Sequence, residues 1–154
     1  MISAPRLPDP ATLATLVTNV TKTMCGITFF AGQPLEPNPD LFWRIARLPI
    51  KGKRPINVAL SSDRPGCTAL GAALFSCTPE ALDSSMIDDS LCELLNMAAG
   101  QIKTALALDQ SLGLPKIVDG TALTEASHRA MREGIVLRSR EAVNLMIWIS
   151  EGAE

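Results

Sequence analysis

An α+β domain with a largely antiparallel sheet and two long helices packed on it is the fold that this sequence predicts, on three observations. Apolar residues recur at helical spacing in a segment near the N-terminus and in a longer one past the middle. Short apolar or alternating runs bounded by Gly, Pro and Asp follow each helix, and their links are hairpin-sized, too short for the crossovers of a parallel sheet. The order helix then strands occurs twice, so the two halves repeat in architecture though not in residue identity.

Asp9-Pro10 reads as an N-cap followed by proline at the first helical position; Leu13, Leu16, Val17 and Val20 carry that helix to about Met24, and Gly26 ends it. Ile27 to Ala31 is a short apolar strand closed by Gly32-Gln33-Pro34. Phe42 to Ile50 and Ile56 to Ser61 read as strands joined by a turn, Lys51-Gly52-Lys53-Arg54-Pro55, whose basic residues are read as a wet turn and not as a phosphate site. Ser62 to Gly66 reads as a tight turn, with Cys67 to Phe75 as the next strand of a meander. Thr78-Pro79-Glu80 starts a short helix, and Ser85 with Asp88 makes a capping-box-like start for a long helix from Ile87 to Asp109. After a turn at Gly113, Leu114 to Val118 is a strand. Thr121 to Arg132 reads as either a short helix or a loop. Ile135 to Ser139 and Val143 to Ser150 close the chain; in the last strand Val143, Leu145, Ile147 and Ile149 share one face and Asn144, Met146, Trp148 and Ser150 the other, as in a half-buried strand.

Length and composition narrow the function. With 154 residues the chain reads as a single domain, 1–154, able to bury a real core, and with few aromatics and no Tyr that core is aliphatic. A net charge of −2 offers no long-range attraction for nucleic acid or anionic lipid. Cys25, Cys67, Cys77 and Cys92 form no C-x-x-C pair and the single histidine, His128, is near none of them, so no metal site is expected. The cysteines read as small buried hydrophobes of a reducing compartment, although a disulfide stays open at this level. No signal segment or membrane span is visible, which gives a cytoplasmic expectation. His128 lacks an accompanying nucleophile motif and is read as a surface histidine. Gly100 to Thr104 has only the end of a P-loop and lies inside a helix; no other catalytic signature occurs.

The long helix holds the functional candidates. At about 100° per residue, Ile87, Leu91, Leu94, Leu95, Ala98, Ile102, Ala105 and Leu106 share one face. Nearly opposite runs a second stripe of Asp89, Glu93, Asn96, Gly100, Lys103 and Thr104. Asn and Gly inside a helix together cost roughly 1.5 kcal/mol relative to Ala, so an ordinary solvated face does not call for them. Two readings stand side by side. In the first, Gly100 lies under another helix of the same chain and Asn96 meets water. In the second, Gly100 lets a partner's backbone approach while the Asn96 carboxamide reaches over the gap.

Asp89, Glu93 four residues on and Asn96 three further, within DDSLCELLNMAAGQIKTAL, resemble the signature helix of the CheX/CheC family of chemotaxis phosphatases. The resemblance extends upstream through VALSSDRPGCTALGAALFSCTPEAL, similar to the family's strand, Gly-Asp turn and strand, and downstream through LPKIVDG to the last hairpin. Two departures are visible: Ser62 stands before Asp63 where the family has Gly, and the segment from Asn96 to Pro115 is a few residues shorter. The first helix carries Asn19 with Leu16, not Glu, three residues before it. That implies one site, the CheX pattern, in place of the two of CheC-type proteins.

The resemblance implies a cytoplasmic enzyme of two-component signalling, a hydrolase that dephosphorylates the phosphoaspartate of a CheY-type response regulator. Asn96 and Glu93 would be catalytic, Asn96 orienting the attacking water and Glu93 pairing with a lysine of the regulator; Asp89, Gly100 and Lys103 would complete the partner-binding face. No cofactor would be bound by this chain, since the regulator brings its own divalent metal (Mg). A homodimer paired through its sheets is also implied. The alternatives are a non-catalytic module that docks on a regulator or signalling complex, and a structural relative from the flagellar switch. Which regulator is the target lies beyond the sequence.

Overall fold

The computed structural model describes residues 6–32, 39–108, 111–119, 129 and 131–152. Local signals account for the first elements. Helix α1, Pro10–Cys25, starts where the Asp9 carboxylate accepts the Thr12 N–H at 3.0 Å and stops where Gly26 turns left-handed at φ 71°. Strand β1, Phe29–Ala31, is tied back to α1 by Thr18, whose hydroxyl accepts the Phe29 N–H at 2.9 Å. A 3-10 turn at Pro39–Phe42 leads into β2, Arg44–Lys51, which pairs antiparallel with β3, Ile56–Ser62. Between them the basic turn does what turns do: Arg54 pairs with Glu151 at 3.0 Å on the surface.

The segment after β3 corrects the expected meander. Cys67 to Phe75 is not a strand but most of a helix, α2, Arg64–Phe75. Its buried positions are Gly66, Cys67, Leu70 and Gly71, a helical spacing, and Asp63 caps it by accepting the Gly66 N–H at 2.7 Å. The signals were present as an N-cap aspartate with proline in the first turn, and as an apolar run of Ala, Leu and Gly with no β-branched residue but Thr68. Gly66 is required by its neighbours, because a Cβ there would run into the Ser62 hydroxyl and stand 2.8 Å from the capping oxygen of Asp63. The variant Gly66→Ala is therefore expected to lose about 1–2 kcal/mol of stability despite the better helix propensity of alanine, read as a lower urea midpoint at unchanged slope.

A 3-10 turn at Pro79–Ala81 precedes α3, Ser84–Ala105. The expected capping box at Ser85 and Asp88 is also corrected. Asp83 is the cap, accepting the Met86 N–H at 2.8 Å, while Asp88 lies inside the helix and pairs with Arg44 at 3.2 Å. The helix ends at Ala105, before the expected Asp109, where Ala107 turns left-handed at φ 52° and the Leu108 N–H returns to the Lys103 carbonyl. Four strands follow: β4, Ser111–Leu112; β5, Lys116–Val118; β6, Ile135–Ser139; and β7, Asn144–Glu151. Most of Thr121 to Arg132, including His128, lies outside the described residues.

The seven strands form one antiparallel sheet in the order β1-β6-β7-β3-β2-β4, with β5 also on β2. Exchanging β1 with β5, β2 with β6 and β3 with β7 reproduces the path β1-β6-β7-β3-β2-β5 in reverse. The repeated halves expected from element order are thus two interleaved units related by a pseudo-two-fold at the β3–β7 pair, with α1 and α3 as counterparts and α2 additional. One sheet face, with Leu48, Val58, Leu60, Leu145 and Ile147, packs under α1, α2 and α3 through Val17, Leu70, Leu91 and Leu95. The other carries a smaller cluster of Ile45, Ala59 and Trp148. β7 is accordingly covered on both faces and not half-buried, because Trp148 stands edge-on to Phe42 at 6.0 Å. Among the described residues no helix is long and apolar enough to cross a membrane.

Candidate functional site

Everything that positions the candidate site comes from α3. Its inner side, Leu91, Leu94, Leu95, Ala98, Ala99 and Ile102, is at most 2% exposed and locks the rod against α1, α2 and the sheet. Side chains on the outer side therefore project from a support that cannot shift without opening the core. Asp89, Glu93, Asn96 and Thr104 are exposed there, and Gly100 and Lys103 partly so. Glu93 and Asn96, one turn apart, are neighbours on this surface. Neither they nor Asp89 and Lys103 use their side chains in a hydrogen bond or ion pair among the described residues.

All five sequence-predicted site residues thus share one open stripe. Asp88, adjacent in sequence to Asp89, does not join it, being engaged by Arg44 from β2. Gly100 separates the two readings of the stripe. A Cβ built on it would meet, among the described residues, only the Leu112 side chain at 4.0 Å, an ordinary contact, so no described helix requires a glycine there. Met97 joins the stripe beside Glu93 with 39% exposure, a residue that sequence reasoning missed. Its helical angle, just outside the polar stripe, was the available signal, but a methionine next to a core face reads as core.

The stripe offers carboxylate, carboxamide and ammonium groups, which can bind a partner and orient a water. Nearby thiols do not change this. Burial, and then the charges of Asp88 and Asp89, raise the Cys92 thiol, and burial pushes Cys67 up to about 12, so both stay protonated and weakly nucleophilic near neutral pH. All four cysteines are free, and no group of His, Cys, Asp and Glu able to hold a metal ion occurs among the described residues. On α1, Asn19 is exposed and Leu16 is partly buried, so the counterpart helix presents no second Glu/Asn pair.

Comparison with known proteins bears on the whole arrangement. The family model described as chemotaxis phosphatase CheX matches residues 44–138, more than half of the chain and all of α3. A crystal structure of the chemotaxis protein CheX from Vibrio vulnificus superposes with a TM-score of 0.68 at 20% identity, covering 97% of this chain and 100% of that one. The chemotaxis protein CheX from Desulfovibrio desulfuricans gives 0.65 at 19% identity, covering 91% and 96%. A CheX-CheY-BeF3-Mg+2 complex from Borrelia burgdorferi gives 0.66 at 13% identity, covering 92% and 96%. These likenesses establish the shared fold. No curated protein sequence matches the chain.

Proposed function

This chain belongs to the chemotaxis phosphatase CheX family, and on that premise we propose that it hydrolyses the phosphoaspartate of a CheY-type response regulator by inserting the Glu93/Asn96 face of α3 into the regulator's active site. The observation that carries this reading is the pair itself: two polar side chains without partners among the described residues, on the open side of a helix whose other side is locked into the core. A structure of a CheX from Borrelia burgdorferi holds CheY and Mg+2, which supports a partner of this kind.

Hydrolysis of an acyl phosphate joins a water oxygen to phosphorus and breaks the bond from phosphorus to the aspartate oxygen, releasing phosphate and a free carboxylate. The water must sit in line with the breaking bond. Asn96 holds it there through its carboxamide, acting as an orienting group and not as a base. Glu93 pairs with a lysine of the regulator and sets the register of the helix. Asp89, Lys103 and the open backbone at Gly100 complete the docking face. The divalent metal belongs to the regulator and offsets charge on the phosphoryl group. A homodimer paired through the sheets is part of the same proposal, and elution at single-chain mass in light scattering would remove it.

The direct test is to mix the protein with phosphorylated CheY-type regulators and follow loss of the phosphoryl group. Faster decay with at least one regulator is expected. A stable complex with undiminished phosphoryl lifetime would instead identify a non-catalytic binding module. Gly100→Ala gives a second check: the free protein is expected to gain about 0.5–1 kcal/mol in thermal or urea unfolding, while regulator binding weakens. A gain in stability with unchanged binding would show that no partner backbone comes close at this position.

A further inference from the structure

On the opposite side of α3 from Glu93 and Asn96, a cleft of about 490 Å³ opens between the start of β2, the first turns of α2 and the first turn of α3. Small-ligand sites are commonly of this size. Trp43 lines it as a partly buried indole, and Pro79, Leu82 and Ile87 supply apolar wall. Two guanidinium groups lie near the indole, that of Arg44 at 4.0 Å from the ring centroid and that of Arg64 at 5.8 Å.

The charges of the cleft are not equivalent. Each guanidinium nitrogen of Arg44 already donates one hydrogen bond, Nε to Asp88 at 3.2 Å, Nη1 to the Trp43 carbonyl at 3.1 Å and Nη2 to the Ser84 hydroxyl at 3.2 Å. Asp88 is thus matched by Arg44; Asp83, which lines the cleft, caps α3 by accepting the Met86 N–H, and Asp63, next to Arg64 in the chain, caps α2 by accepting the Gly66 N–H. Arg64, exposed as the first residue of α2, makes no side-chain hydrogen bond or ion pair among the described residues. The cleft therefore presents an indole with Arg44 over its ring, an apolar wall, the capping carboxylate of Asp83, and in Arg64 a guanidinium without a carboxylate partner among the described residues, whose planar donors suit an oxyanion.

We propose that this cleft binds a small organic anion with a flat apolar body, its oxyanion held by Arg64 and its body against Trp43, Leu82 and Ile87. A carboxylate and a phosphate monoester share the required chemistry, and separate probes tell them apart. The full chain is titrated with AMP, benzoate, inorganic phosphate and adenosine while the two indole N–H signals are followed by ¹H–¹⁵N NMR; Trp148 is 1% exposed and serves as the internal reference. The expected result is a saturable shift of the Trp43 signal with AMP or with benzoate, whichever names the oxyanion, and a stationary Trp148 signal. Phosphate without a body and adenosine without a charge are expected to bind at least about tenfold more weakly. Arg64→Gln is expected to weaken binding by about tenfold or more with the Trp148 signal unmoved, and Arg64→Lys by less. No saturable shift with either anion, equal affinity in Arg64→Gln, or phosphate binding as tightly as AMP would each overturn the assignment.

Discussion

Replacing Asn96 by alanine is expected to slow regulator dephosphorylation by about a hundredfold in kcat while leaving the dissociation constant of the complex nearly unchanged. The carboxamide orients a water that is needed only at the chemical step, and loss of positioning of this kind is worth about a hundredfold. The position is exposed and its side chain makes no hydrogen bond among the described residues, so truncation to alanine is expected to leave the fold intact and to improve helix propensity slightly. Single-turnover decay of labelled phosphoregulator, with binding followed separately by fluorescence anisotropy, separates the two quantities. Decay as fast as with the unaltered protein would remove Asn96 from the chemistry.

Reversing the charge at Glu93 is expected to act on the other quantity. With a lysine of the regulator opposite, Glu93→Lys removes an attraction and adds a repulsion at a partly desolvated contact. Truncating one partner of such a pair costs about 2–5 kcal/mol, so a loss of roughly a hundredfold in affinity is a moderate expectation. Stability should hardly move, since Glu93 has no hydrogen-bond or ion-pair partner among the described residues. The decisive arm is a regulator in which the opposing lysine is changed to glutamate. Recovery of binding by the doubly altered pair supports the contact, whereas undiminished binding of Glu93→Lys alone shows that no such pair forms.

Much of this was open to reading in the residues. The cap at Asp9, the stop at Gly26, the hairpin of β2 and β3 and the two faces of α3 each depend on groups within a turn or a strand repeat of one another, and all are found. The stretch Cys67 to Phe75 reads as a strand because a short run of alanine, leucine and glycine fits a buried strand and a buried helix alike; burial of Cys67 and Leu70 on one side decides for the helix. The cap of α3 lies two residues before the expected Ser85 for a related reason. Asp83, Ser84 and Ser85 are all competent caps, and the contact from Arg44 to Asp88, made across the fold, helps to set where the helix begins.

By itself the sequence determined part of the local geometry: where α1 starts and stops, that β2 and β3 form a hairpin, and that Glu93 and Asn96 stand one turn apart opposite an apolar stripe. Those properties follow from backbone periodicity and short-range hydrogen bonds, which need nothing distant. Only the tertiary structure decided that the two halves interleave about β3 and β7, that Trp148 is covered on the second face of the sheet, and that no described helix packs on Gly100 while Arg64 meets Trp43 across a cleft. Each of these depends on surfaces brought together from distant parts of the chain, and no repeat of 2 or 3.6 residues encodes which surfaces meet.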